Sequence, residues 1–295
     1  PADAVLAAGL EVANSAAKTR DYFIKLNGRS DNGHAIALSH EQYTDSGLRN
    51  KRTNLLPPCF NLPEQQKLTR QSTILNYDYD NGNPYVNTHV TAYHNDNDID
   101  LGKGTSSAQK LGTSTYGLDV SNISQVGRHK LTYGLNYRHD KGYATVAGTR
   151  LKDENASVVG LYVQDDVQLA KQLVLTLGGR YDSYKYTDML NKKYSSSGFS
   201  PSASLTWTPV EEFTFRLSHA RALRGVGIIE PFLKYYQTNA DSLTAEKARN
   251  TELSAQRKRD NWHATATVFE QRIDNYIGYD DYRQNMGNLK SRGYS

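Results

Sequence analysis

The sequence has no long apolar run. Nowhere in its 295 residues is there a stretch approaching the roughly 18 apolar residues that a membrane helix needs. Hydrophobic residues of every kind are scarce: they make up 37% of the chain, and the mean hydropathy is −0.70. Leu, Ile, Val and Phe together reach only roughly a fifth of the residues, the fraction at which disorder becomes a live reading. Cysteine is nearly absent, which excludes a disulfide framework. The single Cys59, in "NLLPPCFNLPEQQ", is either an incidental thiol or half of a disulfide whose partner lies outside this chain.

An excess of one charge is missing as well. The 35 basic and 31 acidic residues are interspersed, the net charge is +4, and no basic run marks a nucleic-acid partner. The opening "PADAVLAAGLEVAN" has neither the basic region nor the apolar core of a secretory signal. No catalytic constellation appears. Ser218 and His219 are neighbours that a strand points to opposite faces, so no Ser–His–acid convergence arises and the chain does not read as an enzyme. His89 and His94, five residues apart in "HVTAYHND", likewise fall on opposite faces and cannot share a metal. Asp96, Asp98 and Asp100 alternate at a loop entrance, where a Ca²⁺ site competes with a plain hydrated loop.

What is present is tyrosine, 21 of them, and alternation. Disorder is poor in aromatics and rich in net charge, so it does not describe this chain. "KLTYGLNYRHD" sets Leu131, Tyr133, Leu135 and Tyr137 against Thr132, Gly134, Asn136 and Arg138. "LVLTLGGRYDSY" sets Leu173, Leu175, Leu177 and Tyr181 against Thr176, Gly178, Arg180 and Asp182. "PSASLTW" and "WHATATV" repeat the pattern, with His263 on the polar side of the second. This is strand periodicity. Short turns at Ser30–Gly33, Asn81–Pro84, Val126–His129, Ala170–Gln172, Val210–Glu212 and Asp260–Asn261 alternate with long polar connections near 45–66, 98–112, 140–155, 187–197 and 223–249. With no membrane helix available, only a closed barrel satisfies its backbone in lipid. Short turns at one end and long loops at the other are the pattern of an outer-membrane barrel. The expected fold is all-β, an antiparallel transmembrane barrel with about 13 or 14 strands of about 10–14 residues present. Its apolar face meets lipid, and Asn136, Arg138, Arg180, Asp182 and His263 face the lumen.

The succession "GLYVQDDVQLAKQLVLTLGGRYDSYKY", "FSPSASLTWTPVEEFTFRLSHARALRG", "NADSLTAEKARNTELS" and "MGNLKSRGYS" resembles the barrel of TonB-dependent outer-membrane receptors. "IKLNGRSDNGHAIALSHEQYTDSG" and "VTAYHNDNDID" resemble the haem, haemoglobin and siderophore receptors among them. The third stretch is similar to the family's Asn-Pro-Asn-Leu-Lys-Pro-Glu segment, which ends an extracellular loop and launches a strand. Ala240 and Ala245 replace its prolines and Thr244 its lysine. The resemblance implies that residues 1–295 are part of a barrel of roughly 22 strands, without the plug domain that fills the lumen and engages TonB. It also implies residence in the bacterial outer membrane, with the surrounding lipid, TonB (through the plug) and a scarce iron complex as partners.

A ferric siderophore is the first expectation for that iron complex. The family's haem receptors place a histidine between a Phe-Arg-Ala-Pro-like motif, here degraded to "RALRGV", and the Asn-Pro-Asn-Leu-like one. No histidine occurs from Gly225 to Ala248. The same loop carries Glu230, Lys234, Tyr235 and Tyr236, with Arg224 just before it. Tyrosine rings and cations suit an anionic, aromatic iron complex, although barrels also use tyrosines as interfacial anchors. Haem is the alternative ligand, and a passive porin the alternative function. No protein-bound cofactor and no resident metal are expected. The topology makes a direct prediction: in intact cells expressing the full-length protein, epitope tags at Asn191 or Gln237 are reached by antibody from outside. Tags at Asn81 or Asn261 are reached only after permeabilisation, and uniform accessibility would exclude the barrel.

Overall fold

A computed structural model describes residues 17–50, 63–106, 108–228, 238–259 and 261–295. Period-two alternation dominates the sequence, and among the described residues the only regular structure is β, with no helix. The strands are β1 (Lys18–Arg29), β2 (His34–Asn50), β3 (Pro63–Asp80), β4 (Asn87–Leu101), β5 (Gln109–Val126), β6 (His129–Val146), β7 (Thr149–Arg150), β8 (Glu154–Ala170), β9 (Leu173–Thr187), β10 (Lys193–Val210), β11 (Phe213–Arg224), β12 (Glu246–Arg259), β13 (Trp262–Asp274), β14 (Ile277–Tyr279), β15 (Arg283–Asn285) and β16 (Leu289–Tyr294). One antiparallel meander runs β1-β2-β3-β4-β5-β6-β8-β9-β10-β11-β12-β13-β16, with the short β7 beside β6 and β14-β15 forming a separate hairpin. Every pairing in the large sheet joins neighbours along the chain, apart from the steps over β7 and over the hairpin. Among the described residues the sheet does not close on itself, because β1 pairs only with β2, and β16 only with β13.

The register keeps the two faces chemically separate through the apolar band of the wall, since residues directly opposite in a ladder share a face. One cross-strand row reads Leu175, Leu205, Leu217, Leu253, Val268 and Tyr294. Another reads Leu26, Leu38, Leu75, Ala92 and Leu118. Most of these side chains are exposed rather than packed: Leu217 is 52% exposed and Leu26 65%. A soluble sheet would cover such a face. The adjacent row on the opposite face reads Asn76, Thr91, Asp119, Asn136, Gly160 and Asp182. A one-residue slip would exchange the two faces, so the apolar rows fix the register.

Two expectations need correction. The connections expected to be long near 98–112, 140–155 and 187–197 are largely strand: β4 runs to Leu101, β6 to Val146, and β10 begins at Lys193. The connection at 188–192 is shorter than the turn region at 81–86, so long and short do not alternate strictly. Several strands reach 17 or 18 residues, more than a bilayer requires. In the extension of β4, Asp98 and Asp100 alternate with Ile99 and Leu101, which pack with Leu111 and Ala144. Backbone pairing continues there because a ladder is as satisfactory in water as a loop. The segment Thr-Ala-Glu-Lys-Ala enters the sheet directly, since β12 starts inside it at Glu246. Cys59 lies outside the described residues.

Among the described residues, the wall is interrupted beside the upper half of β10. Pairing of β10 with β11 stops at Ser202↔Ala220, whereas β10 stays paired with β9 as far as Lys193↔Thr187. Pro201, which has no N–H to donate, is the next residue of β10. Beyond it, side chains replace the ladder: the Leu223 N–H donates to Ser200 Oγ at 3.1 Å, and Tyr184 Oη donates to the Leu223 carbonyl at 3.2 Å. The facial separation predicts unequal penalties in the full-length protein. Leu175→Arg costs about 2–4 kcal/mol if the site lies near the bilayer midplane, and Thr176→Arg well under about 1 kcal/mol. Reversible denaturant titrations in lipid vesicles measure both, and equal penalties would count against the assignment of faces.

Candidate ligand-binding mouth

The polar face of β9 presents Thr176, Gly178, Arg180, Asp182, Tyr184 and Tyr186 in succession, and each polar side chain reaches across to a neighbour. Thr176 donates to Asp166 at 2.6 Å. Arg180 Nε donates to both Asp182 oxygens at 2.8 Å, and its Nη2 to Asn136 Oδ1 at 2.7 Å. Three of the residues expected on one face thus form a single network. Gly160 makes room for it, because a Cβ there would overlap the Arg180, Asn136 and Asp182 head groups. Arg138 shares the face but pairs elsewhere, with Asp140 at 2.9 Å. His263 is at the far end of β13, opposite Lys258 and apart from this cluster.

At the loop end of the same face the polar groups are buried. Glu154 is 0% exposed, Tyr186 and Asp188 2%, Asn239 and Glu246 4%, and Arg283 6%. A buried carboxylate without partners is costly, and here each one has them. Tyr186 Oη donates to Glu154 Oε1 at 2.6 Å. Asn239 Nδ2 donates to Tyr186 Oη at 3.1 Å and to Asp188 Oδ2 at 3.2 Å. Glu246 accepts from the Ile277 N–H at 2.7 Å and from Arg224 Nη1 at 3.0 Å. Arg283 Nη1 donates to the Gly227 carbonyl at 2.6 Å.

These contacts fold the β11–β12 connection and the β14–β15 hairpin against the polar face. Asn239 bridges Arg283 in parallel, the Arg283 N–H donating to the Thr238 carbonyl at 2.9 Å and the Ala240 N–H to the Arg283 carbonyl at 3.0 Å. Asn285 clamps the Thr244 backbone at 2.8 and 3.1 Å. Beneath them Ala156, Tyr186, Val226 and Leu243 form an apolar cluster with Tyr194, Ile228 and Ile277 around it. Asp241 faces the Lys192 ammonium, and this pairing raises the lysine pKa above its ordinary value. Above the end of β11, a cavity of about 610 Å³ lies between β10 and β12, lined among others by Tyr184, Tyr194, Lys193, Val226 and Leu243. That volume is within the ~300–1,000 Å³ of small-ligand sites.

Of the ligand-binding candidates, Arg224 stands at this mouth, joined to Glu246 while its side chain stays 75% exposed. Glu230, Lys234, Tyr235 and Tyr236 lie outside the described residues. Sequence reasoning missed Glu154, Tyr186, Asp188, Glu246 and Arg283 as site residues. A signal existed for part of the cluster. In "NADSLTAE" the family's Asn, Leu and Glu persist as Asn239, Leu243 and Glu246, and all three are buried. Within the Asp96–Asp98–Asp100 run, Asp98 accepts from Tyr143 at 2.5 Å and forms an ion pair with Lys110 at 3.8 Å. Among the described residues no group of side chains suits a metal.

Residues 12–295 match the family description "TonB dependent receptor-like, beta-barrel". The chain belongs to this family. Membership accounts for the exposed apolar face and places the wall in a bacterial outer membrane; the family consists of receptors and transporters, not enzymes. The chain is similar to the heme/hemopexin utilization protein C of Haemophilus influenzae, 27% identical over 72% of this chain and 33% of that protein. It is also similar to the heme transporter BhuA of Brucella ovis, 24% identical over 97% of this chain and 45% of that one. The FrpB iron transporter from Neisseria meningitidis (F5-1 variant) shares its fold with a TM-score of 0.85 at 23% identity, covering 97% of this chain and 51% of that one. The chain therefore spans between a third and about half of the length of these relatives.

The clamp on the mouth is testable in the full-length receptor. Asn239→Ala removes the group that joins Tyr186 to Asp188, at a local cost of about 1–3 kcal/mol. Amide exchange across residues 238–245 accelerates accordingly while β9 stays protected. Unchanged exchange would show that the backbone contacts to Arg283 suffice.

Proposed function

We propose that this chain supplies the wall and extracellular mouth of an outer-membrane receptor that imports an iron complex, and that the complex is haem. The observation that carries the ligand is the likeness to proteins named for haem uptake, which extends over as much as 97% of the chain and across both mouth-forming segments. The chemistry of the mouth agrees. Haem is flat, aromatic and carries two carboxylates, and Tyr184, Tyr194, Lys193 and the exposed arm of Arg224 offer rings and cations at one rim. This reverses the order expected from the sequence, in which a ferric siderophore came first. The siderophore reading retains one observation in its favour, the absence of histidine from Gly225 to Ala248. On the haem reading, the axial ligand comes from another loop or from the plug.

Uptake on this reading begins with capture at the mouth. TonB then acts through the plug, and the cargo moves along the polar face, past the Arg180–Asp182–Asn136 network. The test is titration of the purified full-length receptor with hemin and with ferric siderophores. Hemin binds with a shifted Soret band, and Arg224→Ala or Tyr235→Ala with Tyr236→Ala weakens it roughly tenfold to a hundredfold, the loss of about 1–3 kcal/mol per desolvated contact. A siderophore that binds while hemin does not would overturn the haem assignment. Full affinity in the loop variants would make those tyrosines interfacial anchors.

A further inference from the structure

We propose that the lipid-facing side of the wall holds a separate site, in which a phosphate-bearing headgroup of the surrounding membrane seats between β10 and β12. The first observation is a row of like charges. Arg221, Arg249, Arg272 and Lys290 are direct cross-strand partners on four successive strands of the sheet, β11, β12, β13 and β16. Like charges placed directly opposite repel, so such a row is stable only with anions nearby. The protein supplies some. Asp274 accepts from Arg249 at 2.6 Å, and Glu270 pairs with Arg272 at 2.8 Å and with Lys290 at 3.5 Å. For Arg221 and the neighbouring Lys247 no acidic partner exists among the described residues, and both are exposed.

The second observation is a groove at that same point. Where pairing between β10 and β11 ends, a cavity of about 400 Å³ opens, lined by Phe199, Arg221, Leu223, Lys247, Arg249 and Asp274 among others. All six belong to the apolar-face register. Those from the opposite face are Gly198, Ala222 and Ala248, which are too small to fill it from behind. The groove thus opens toward lipid, with two unneutralised cations and with Phe199, 66% exposed, at its side.

The third observation is height. The apolar stretch of β11 is centred near Phe215, and Arg221 lies six residues further on the same face. At about 3.4 Å per residue and a tilt of about 40°, that is roughly 15 Å above the centre, just beyond the ~12 Å half-height of the apolar band of such barrels. This is the headgroup layer, on the side of the long loops. A basic pocket at that depth takes an anionic headgroup, and Phe199 and Leu217 lie along the path of an acyl chain.

The experiment uses the full-length receptor in detergent, diphosphoryl lipid A as the probe and native mass spectrometry as the readout. Wild type retains the lipid. Arg221→Gln with Lys247→Gln weakens retention about thirtyfold, roughly fivefold for each cation removed near a membrane surface. Arg221→Lys with native Lys247 keeps the charge and most of the binding, which separates loss of the site from loss of the fold. Arg259→Gln removes a cation from the same face of β12 at its opposite end and leaves retention unchanged. Equal retention by the double variant, or equal loss in Arg259→Gln, would overturn the site. Competition by inorganic phosphate as effective as that by the lipid would overturn the assignment to a lipid headgroup.

Discussion

In a bilayer every backbone N–H and C=O must find its partner within the protein, and the rest of this structure depends on that requirement. It explains why a chain so poor in hydrophobic residues can occupy a membrane at all. Only alternate residues face lipid, and the opposite face is free to carry Asn, Thr, Asp and Arg. It also explains the meander, because antiparallel neighbours in sequence complete the ladder with the shortest connections. The lapse above Ser202 is repaired by Ser200 and Tyr184 reaching the Leu223 backbone. The repair lies beyond the apolar stretch of β11, where an imperfect ladder is tolerable.

Beyond the membrane the constraint relaxes and side chains take over the design. The strands continue as polar extensions, and their tips supply Glu154, Tyr186 and Glu246. Loop segments are then held against the polar face by hydrogen bonds to buried groups rather than by a large apolar core. The buried carboxylates Glu154 and Glu246 are matched to a phenol, a guanidinium and a backbone N–H. A buried carboxylate that loses its partner carries the full desolvation penalty, so this clamp is specific as well as firm. It leaves Arg224 anchored at one nitrogen with most of its side chain open to the mouth. That arrangement positions a cation for an anionic cargo without burying it.

Much of the wall was legible in the chain. Leu131 to Tyr137 and Trp262 to Val268 alternate so regularly that strand, face and neighbour followed from them. The extensions were read as loop, because the alternation of Asp98 and Asp100 with Ile99 and Leu101 is too short to stand out from the polar residues around it. The mouth was legible only through resemblance. Asn239 and Glu246 mark the family's loop-ending segment, but nothing in their spacing says that they are buried, and Glu154 sits in a stretch that reads as loop.

The sequence by itself determined the class of environment and the two faces, because lipid imposes a period of two on any strand that crosses it. It also determined which end carries the long loops. Tertiary structure alone decided the rest. It brought Glu154, Tyr186, Asn239 and Arg283, from three distant segments and a hairpin, into one buried cluster. It set Arg221, Arg249, Arg272 and Lys290 side by side as a single row. Such convergences depend on register between strands, and register is fixed by the whole set of apolar rows rather than by any stretch of chain.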